Sequence, residues 1–288
     1  MRLEEIYLND FADEQIKNSK KKNIIRHYYE ENAKVTEIEI VSNKNEFNKC
    51  KGNYITIECK NDHHNEKIIK KYLLKLLRKN GFNKNTHILV VGLGNDSYLS
   101  DALGPKVIKK INVTSHLKSI YKNLVIVSCF VPSVMGVTGL ESSEMIKSIV
   151  KEFKIDMVIV IDSLATRDIN RLYKTYQITD TGINPGSGIN NHRKAINKNV
   201  LKVPVIAIGV ATVVDSASLI INTLDSIDKN LIKTIDADKL VKAIYRKDNN
   251  FVLTSKEIDT LIDIIADNVS SGINLSLNPT FSINDRIR

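Results

Sequence analysis

The chain has 288 residues, of which 42% are hydrophobic and 26% charged, with 12 Gly and 5 Pro. This composition excludes a collagen, a long disordered chain and a disulfide-stapled miniprotein, and the length suffices to bury a large core. The formal net charge of +9 comes from 42 Lys and Arg against 33 Asp and Glu, but these are scattered along faces expected to be solvated, with no interleaved aromatic platform.

Residues 1–22 are polar and charge-dense and read as a leader. The opening carries acids early and no apolar core, so no secretory signal is expected. Residues 34–59 alternate apolar and polar side chains in places, which predicts short half-buried strands. Residues 65–80 predict an amphipathic helix: Ile68, Ile69, Leu73, Leu74, Leu76 and Leu77 recur at helical spacing against a basic face, and Asn80-Gly81 stops it. The rhythm then changes. Short, β-branched apolar runs recur at His87–Val91, Leu124–Ser128, Asp156–Ile161 and Val203–Ile208, as expected of strands buried on both faces. Helical stretches are expected near Leu103–Leu117, Ser142–Phe153 and Asp215–Ile227. Strand alternating with helix predicts an α/β fold: a mostly parallel sheet with helices on both faces, small N-terminal strand additions and C-terminal helices. Phe251–Leu253 reads as a short strand. Thr254 reads as the N-cap of a last helix, with Glu257 as its capping-box partner. The longest apolar stretch, Val203–Val214, falls short of the ~20 residues that a membrane span needs. Three cysteines, Cys50, Cys59 and Cys129, without CxxC spacing, read as reduced thiols of a cytoplasm-like compartment.

In parallel sheets the ligand site lies beyond the carboxyl ends of the strands, so the residues after each apolar run carry the interest. After the first run stands Gly92-Leu93-Gly94-Asn95-Asp96-Ser97, followed by Asp101-Ala102-Leu103-Gly104-Pro105. The start is similar to a dinucleotide fingerprint, but Ser97 replaces the third Gly, and Pro105 marks a helix start only later. A tight turn is the simpler reading. Asp101 either caps that helix or acts chemically. Asp162, at the end of the third run, faces the same choice. Two such acids can converge; one pKa then rises, and the pair holds a single proton as acid and base.

Downstream, the Asp180-Thr181-Gly182 triplet matches that of pepsin-like proteases, but that class needs two copies on an all-β scaffold. A cleft-shaping loop over 180–193 is the better expectation, with Asp180 bonded to backbone amides. Gly92, Gly94, Asn95, Asp180, Gly182, Gly186, Gly188 and His192 are therefore the candidates for cleft or oxyanion contacts. No GxSxG elbow, HExxH, P-loop or EF-hand motif occurs, and neither cofactor nor metal is expected.

The order of these motifs resembles the germination protease family of spore-forming bacteria. The resemblance rests on residues 90–95, 101–105, 134–144, 161–167, 178–194, 203–218 and 252–259. It implies an atypical aspartic endopeptidase with a fold similar to the hydrogenase-maturation endopeptidases. It implies Asp101 and Asp162 as the catalytic pair and does not make Asp180 catalytic. It further implies a homotetramer in the forespore or spore core that degrades small acid-soluble spore proteins, with no direct nucleic-acid or membrane partner. The family is made as a zymogen and cuts between Glu or Asp and an apolar residue followed by Ala, any residue and Glu. Asp10-Phe11-Ala12-Asp13-Glu14 fits that pattern, so self-cleavage between Asp10 and Phe11 is expected. Residues 1–10 would be the propeptide and 11–288 one peptidase domain, its α/β core at about 86–227. Departures include Ser133, where the family usually has Gly, residues 95–100, and a shorter insertion before the C-terminal motif. The rival readings are a metal-dependent maturation-type endopeptidase and a non-catalytic sporulation or nucleotide-binding relative.

Overall fold

The computed structural model describes residues 10–16, 24–42, 49–121, 123–185, 193–228 and 251–281. Among the described residues nine strands form one sheet: β1 (Ile24–Glu30), β2 (Ala33–Ile40), β3 (Gly52–Cys59), β4 (His87–Gly92), β5 (Ile126–Phe130), β6 (Met157–Thr166), β7 (Thr175–Thr179), β8 (Val205–Asp215) and β9 (Val252–Leu253). Their order is β1-β2-β3-β7-β8-β6-β4-β5, with β9 also paired to β8. β8, β6, β4 and β5 run parallel, as their continuous apolar runs require. On the other side the sheet continues antiparallel through β7 and β3 to the β1–β2 hairpin. The N-terminal strands thus extend the α/β core in the same sheet.

The helices are α1 (Ala12–Ile16), α2 (Glu66–Lys79), α3 (Leu103–Ile108), α4 (Met135–Thr138), α5 (Ser142–Glu152), α6 (Lys198–Leu201), α7 (Ser216–Ile227) and α8 (Ile258–Leu277). Side-chain alternation along β4 divides the core into two. Ile88 and Val90 pack with α2, α3 and α8 through Leu73, Leu77, Leu103, Val107, Ile262 and Val269. Leu89 and Val91 pack with Ile146 and Val150 of α5 and Leu201 of α6. Helices therefore cover both faces, and β6 and β8, at the centre, are buried almost throughout.

Two helix boundaries differ from the sequence expectation, each because a polar side chain is engaged elsewhere. α3 ends at Ile108 rather than near Leu117. Beyond it the Asn112 amide donates to Asn274 Oδ1 (2.9 Å) and Thr114 Oγ1 bonds Val125 O and the Val127 amide (2.6 and 2.9 Å). Such bonds draw the chain out of the helical ladder. The last helix starts at Ile258, not after Thr254. The Thr254 hydroxyl donates to Thr212 O (2.9 Å) and meets the Tyr173 hydroxyl, so it holds β8 instead of capping. β1 and β7 were not evident as strands, because both are short and mix polar with apolar residues.

The carboxyl end of β4 depends on two glycines. A Cβ on Gly92 would lie 2.3 Å from the Gly104 carbonyl oxygen, and one on Gly104 would lie 2.2 Å from Leu93 O. Two backbones thus cross at a distance that no side chain permits, and the crossing sets α3 on the strand end. Gly92→Ala is expected to lower stability by about 1–3 kcal/mol through overpacking against rigid backbone, read as a fall in urea midpoint at unchanged slope.

Candidate active site

The β4 turn brings Asp101 to the sheet. Gly94 has φ +109°, and a Cβ there would lie 1.9 Å from Asp101 O. A single 3₁₀ turn, Leu99–Asp101, follows, and the Asp101 carboxylate accepts the Asn95 amide (2.9 Å). The glycines that mimic a dinucleotide fingerprint thus serve a close backbone approach that positions a carboxylate. Asp162 arrives separately, inside β6, one strand over. It is 7% exposed and its Oδ1 accepts the Ser163 amide (2.9 Å).

Both acids line one cavity of about 330 Å³, together with Gly94, Asn95, Ser133, Arg193 and Asp10. Burial pushes the Asp162 carboxyl well above its ordinary 3.8, and the charges of Asp101 and then Asp10 push it further. Burial also raises Asp101, but the Asn95 amide and Arg193 oppose the rise. Both carboxyls are thus raised, Asp162 the further of the two, so of the pair Asp162 holds a proton more readily.

Asp10 is built into this site. Its amide donates to Ala165 O (3.0 Å), and its carboxylate accepts the Ala165 amide (2.9 Å), three residues along β6 from Asp162. Its carbonyl oxygen accepts Lys49 Nζ at 2.8 Å and Gln177 Nε2 at 3.4 Å. Lys49 is held below its ordinary pKa by burial, against the opposing charge of Asp10. Phe11 is fully buried against Leu164 and Ala211.

The remaining candidates disperse. Gly92 supports the backbone crossing and does not face the cavity. Asp180 is a structural pin: it accepts the Asn53 amide (2.7 Å) and Asn53 Nδ2 (2.6 Å), with Asn80 Nδ2 at 3.4 Å, outside the cleft. The expectation of a backbone-amide bond holds for Asp180; a cleft role does not, because the asparagines hold it at the β3–β7 edge. Gly182 (φ +78°) lines a separate cavity of about 60 Å³ that also touches Asp10 and Lys49. Gly186, Gly188 and His192 lie outside the described residues. The sequence does not single out Arg193 or Lys49, and marks Ser133 only as a departure from the resembling family. Arg193 directly follows His192 in the Gly-rich segment, which is the one signal that pointed near it. Ser133 has φ +60°, the left-handed region that favours glycine, which accounts for Gly being usual at this position in the resembling family. Among the described residues no three His, Cys, Asp or Glu side chains are grouped to hold a metal ion.

The raised carboxyl of Asp162 has a consequence for stability. Below pH 3.8 it is protonated in both folded and unfolded chains and contributes nothing. As pH rises, the unfolded chain ionises first, so stability falls until the folded carboxyl titrates too. Asp162→Asn removes this penalty. The variant is expected to unfold at higher denaturant than wild type at pH 7, with the gap closing as pH falls to 3.8 and below.

A family model described as germination protease matches residues 2–246. The chain is 38% identical over 293 residues to the germination protease of Clostridium tetani, covering 91% of this chain and 90% of that one. It is 40% identical to the germination protease of Caldanaerobacter subterraneus subsp. tengcongensis, covering 88% of each. Among solved structures it is similar to the [NiFe] hydrogenase maturation protease HycI from Thermococcus kodakarensis KOD1, at 15% identity and a TM-score of 0.36, covering 70% of this chain and 99% of that one. Motif order, matched length and identity agree: this chain belongs to the germination protease family.

Proposed function

We propose that this peptidase is the endopeptidase that begins the breakdown of small acid-soluble spore proteins at germination, and that Asp101 and Asp162 activate its water. The observation that carries the reading is the cavity in which a carboxylate from the turn after β4 and one from within the neighbouring β6 meet a third acid, Asp10. Ionised Asp101 takes a proton from water as its oxygen attacks the carbonyl carbon. Protonated Asp162 gives its proton to the leaving amide nitrogen. The products are a new carboxyl and a new amine, and the pair has exchanged its proton.

The same reading makes residues 1–10 a propeptide and 11–288 the peptidase, separated by self-cleavage at Asp10–Phe11. Support comes from the placement of that bond. The Asp10 carbonyl oxygen points at Lys49 Nζ, a donor positioned for the negative charge that develops there during attack. The working form is proposed to be a homotetramer in the spore core. Among the described residues no helix is long and apolar enough to cross a membrane.

The test is incubation of the full chain with a purified small acid-soluble spore protein, with and without EDTA, read by mass spectrometry. Cleavage after an acidic residue, indifferent to EDTA, is expected. Asp101→Asn and Asp162→Asn should each lower the rate by about 10²–10⁴-fold, as loss of a general acid or base does. Abolition by EDTA would instead make the aspartates metal ligands, and full activity in either variant would overturn the pair. N-terminal sequencing of the active protein should begin at Phe11; an intact Met1 would refute self-processing.

A further inference from the structure

Residues 11–14 are seated in the fold as a ligand is seated in a site. Phe11 and Ala12 are fully buried. The Ala12 amide donates to Gln177 Oε1 (2.8 Å), and Ala12 packs among Ile38, Ile40 and Tyr54, where a small side chain fits. The last contact is a charged one, at the far end of β6 from its start, four residues beyond Asp162. Glu14 Oε1 accepts Thr166 Oγ1 (2.5 Å) and an Arg171 guanidinium nitrogen (2.7 Å), while Oε2 accepts the Arg167 amide (3.1 Å). The Glu14 and Arg171 side chains are only 4% and 7% exposed.

We propose that Arg171, with Thr166 and the Arg167 amide, is the specificity site that reads a carboxylate four residues beyond the cut, in the leader and in protein substrates alike. The inference rests on the reading of Asp10–Phe11 as the bond that is cut. Three donors converge on one side chain, so each carboxylate oxygen is satisfied. An apolar replacement leaves the Thr166 hydroxyl, the Arg167 amide and one guanidinium nitrogen without their acceptor, which costs more than the bonds themselves gained, and an amide replacement removes the charge and one of the two acceptor oxygens. Among the described residues Arg171 has one further charged partner outside the seated segment, Glu58, and two more contacts within it. Its Nε lies 3.7 Å from Glu58 on β3, its other nitrogen reaches Asp13 (3.1 Å), and its plane lies 4.7 Å from the Phe11 ring centroid. One guanidinium thus touches the first, third and fourth residues after the cut, which ties recognition of the acid to the seating of the apolar residue next to the bond.

A protein substrate takes this groove once residues 11–14 leave it. The backbone of residues 12–16 forms only one short helix, α1, which has little stability of its own, so the side-chain contacts above are what hold the segment and what a substrate would have to replace. A free peptide beginning Phe-Ala-Asp-Glu is therefore expected to compete with substrate.

The test uses the full chain after self-processing and peptides spanning Asp-Phe-Ala-Asp-Glu, with Glu, Gln or Leu in the last position. Wild type should lose about 10–100-fold in kcat/KM from Glu to Gln, the range for a hydrogen-bonded buried charge. In Arg171→Gln the two peptides should differ by less than about threefold, because the acid has lost its main partner. A role in folding alone would slow both peptides equally and keep their ratio, and that result overturns the proposal. Should Arg171→Gln fail to fold, Thr166→Val gives the same reading through a partial loss of preference, and a wild type indifferent to Glu, Gln and Leu overturns the proposal without any variant. A wild type that leaves the Asp–Phe bond of the Glu peptide whole refutes the assignment of the cut itself, and the specificity site with it.

Discussion

The approach of two backbones at the end of β4 is the contact on which the site depends. Gly92 and Gly104 touch without room for a side chain on either, and Gly94 lies under the carbonyl of Asp101. This crossing brings a short 3₁₀ turn back over the strand it left, so that Asp101 faces the next strand, where Asp162 lies. A sheet sets neighbouring strands only ≈ 4.7–4.9 Å apart. Residues at two adjacent strand ends are therefore near each other whenever the turns fold inward. Here both turns do.

Burial then sets the chemistry. Asp162 sits within β6, where hydrophobic strands exclude water, and a carboxylate there is costly to ionise. Asp101 is less isolated, because Asn95 donates to it and Arg193 favours its charge. The difference between the two acids comes from their surroundings and not from the residue type. Asp10 adds a third negative charge at the rim, which raises Asp162 further. The segment that follows Asp10 answers burial with pairing: Glu14 is taken below the surface only because Arg171, Thr166 and the Arg167 amide meet it. Burial still lifts its carboxyl above the ordinary value, with Arg171 as the main opposing influence.

Much of this was legible in the chain. Continuous apolar runs of β-branched residues marked β4, β5, β6 and β8, because a strand buried on both faces leaves no room for polar alternation. The position of Asp101 after β4 followed from the same runs, whereas Asp162, expected at the end of its run, lies inside β6, which continues to Thr166. The amphipathic repeat of α2 placed its buried stripe correctly. β1 and β7 were less visible. β1 is largely exposed, and Thr175–Thr179 carries a polar residue at every other position or closer. Their strand character comes from a neighbour's ladder and not from their own pattern. Thr254 had the right chemistry for a cap, but Tyr173 and Thr212, distant in sequence, engage its hydroxyl first.

By itself the sequence determined the alternation of strands and helices, two acids that directly follow apolar runs and an acid–apolar–Ala–x–acid leader pattern at residues 10–14, since each is written in local order and spacing. Only the tertiary structure decided which polar residues share a site. Asp180, in a triplet that looks catalytic, is held away by Asn53 and Asn80. Lys49 and Arg171, in segments without any motif of their own, and Arg193, at the end of the 178–194 segment, converge on Asp10, Glu14 and the aspartate pair. The physical reason is that hydrogen bonds and ion pairs form between groups that the packing of the sheet brings together, and separations such as the 157 residues between Glu14 and Arg171 leave no trace in local pattern.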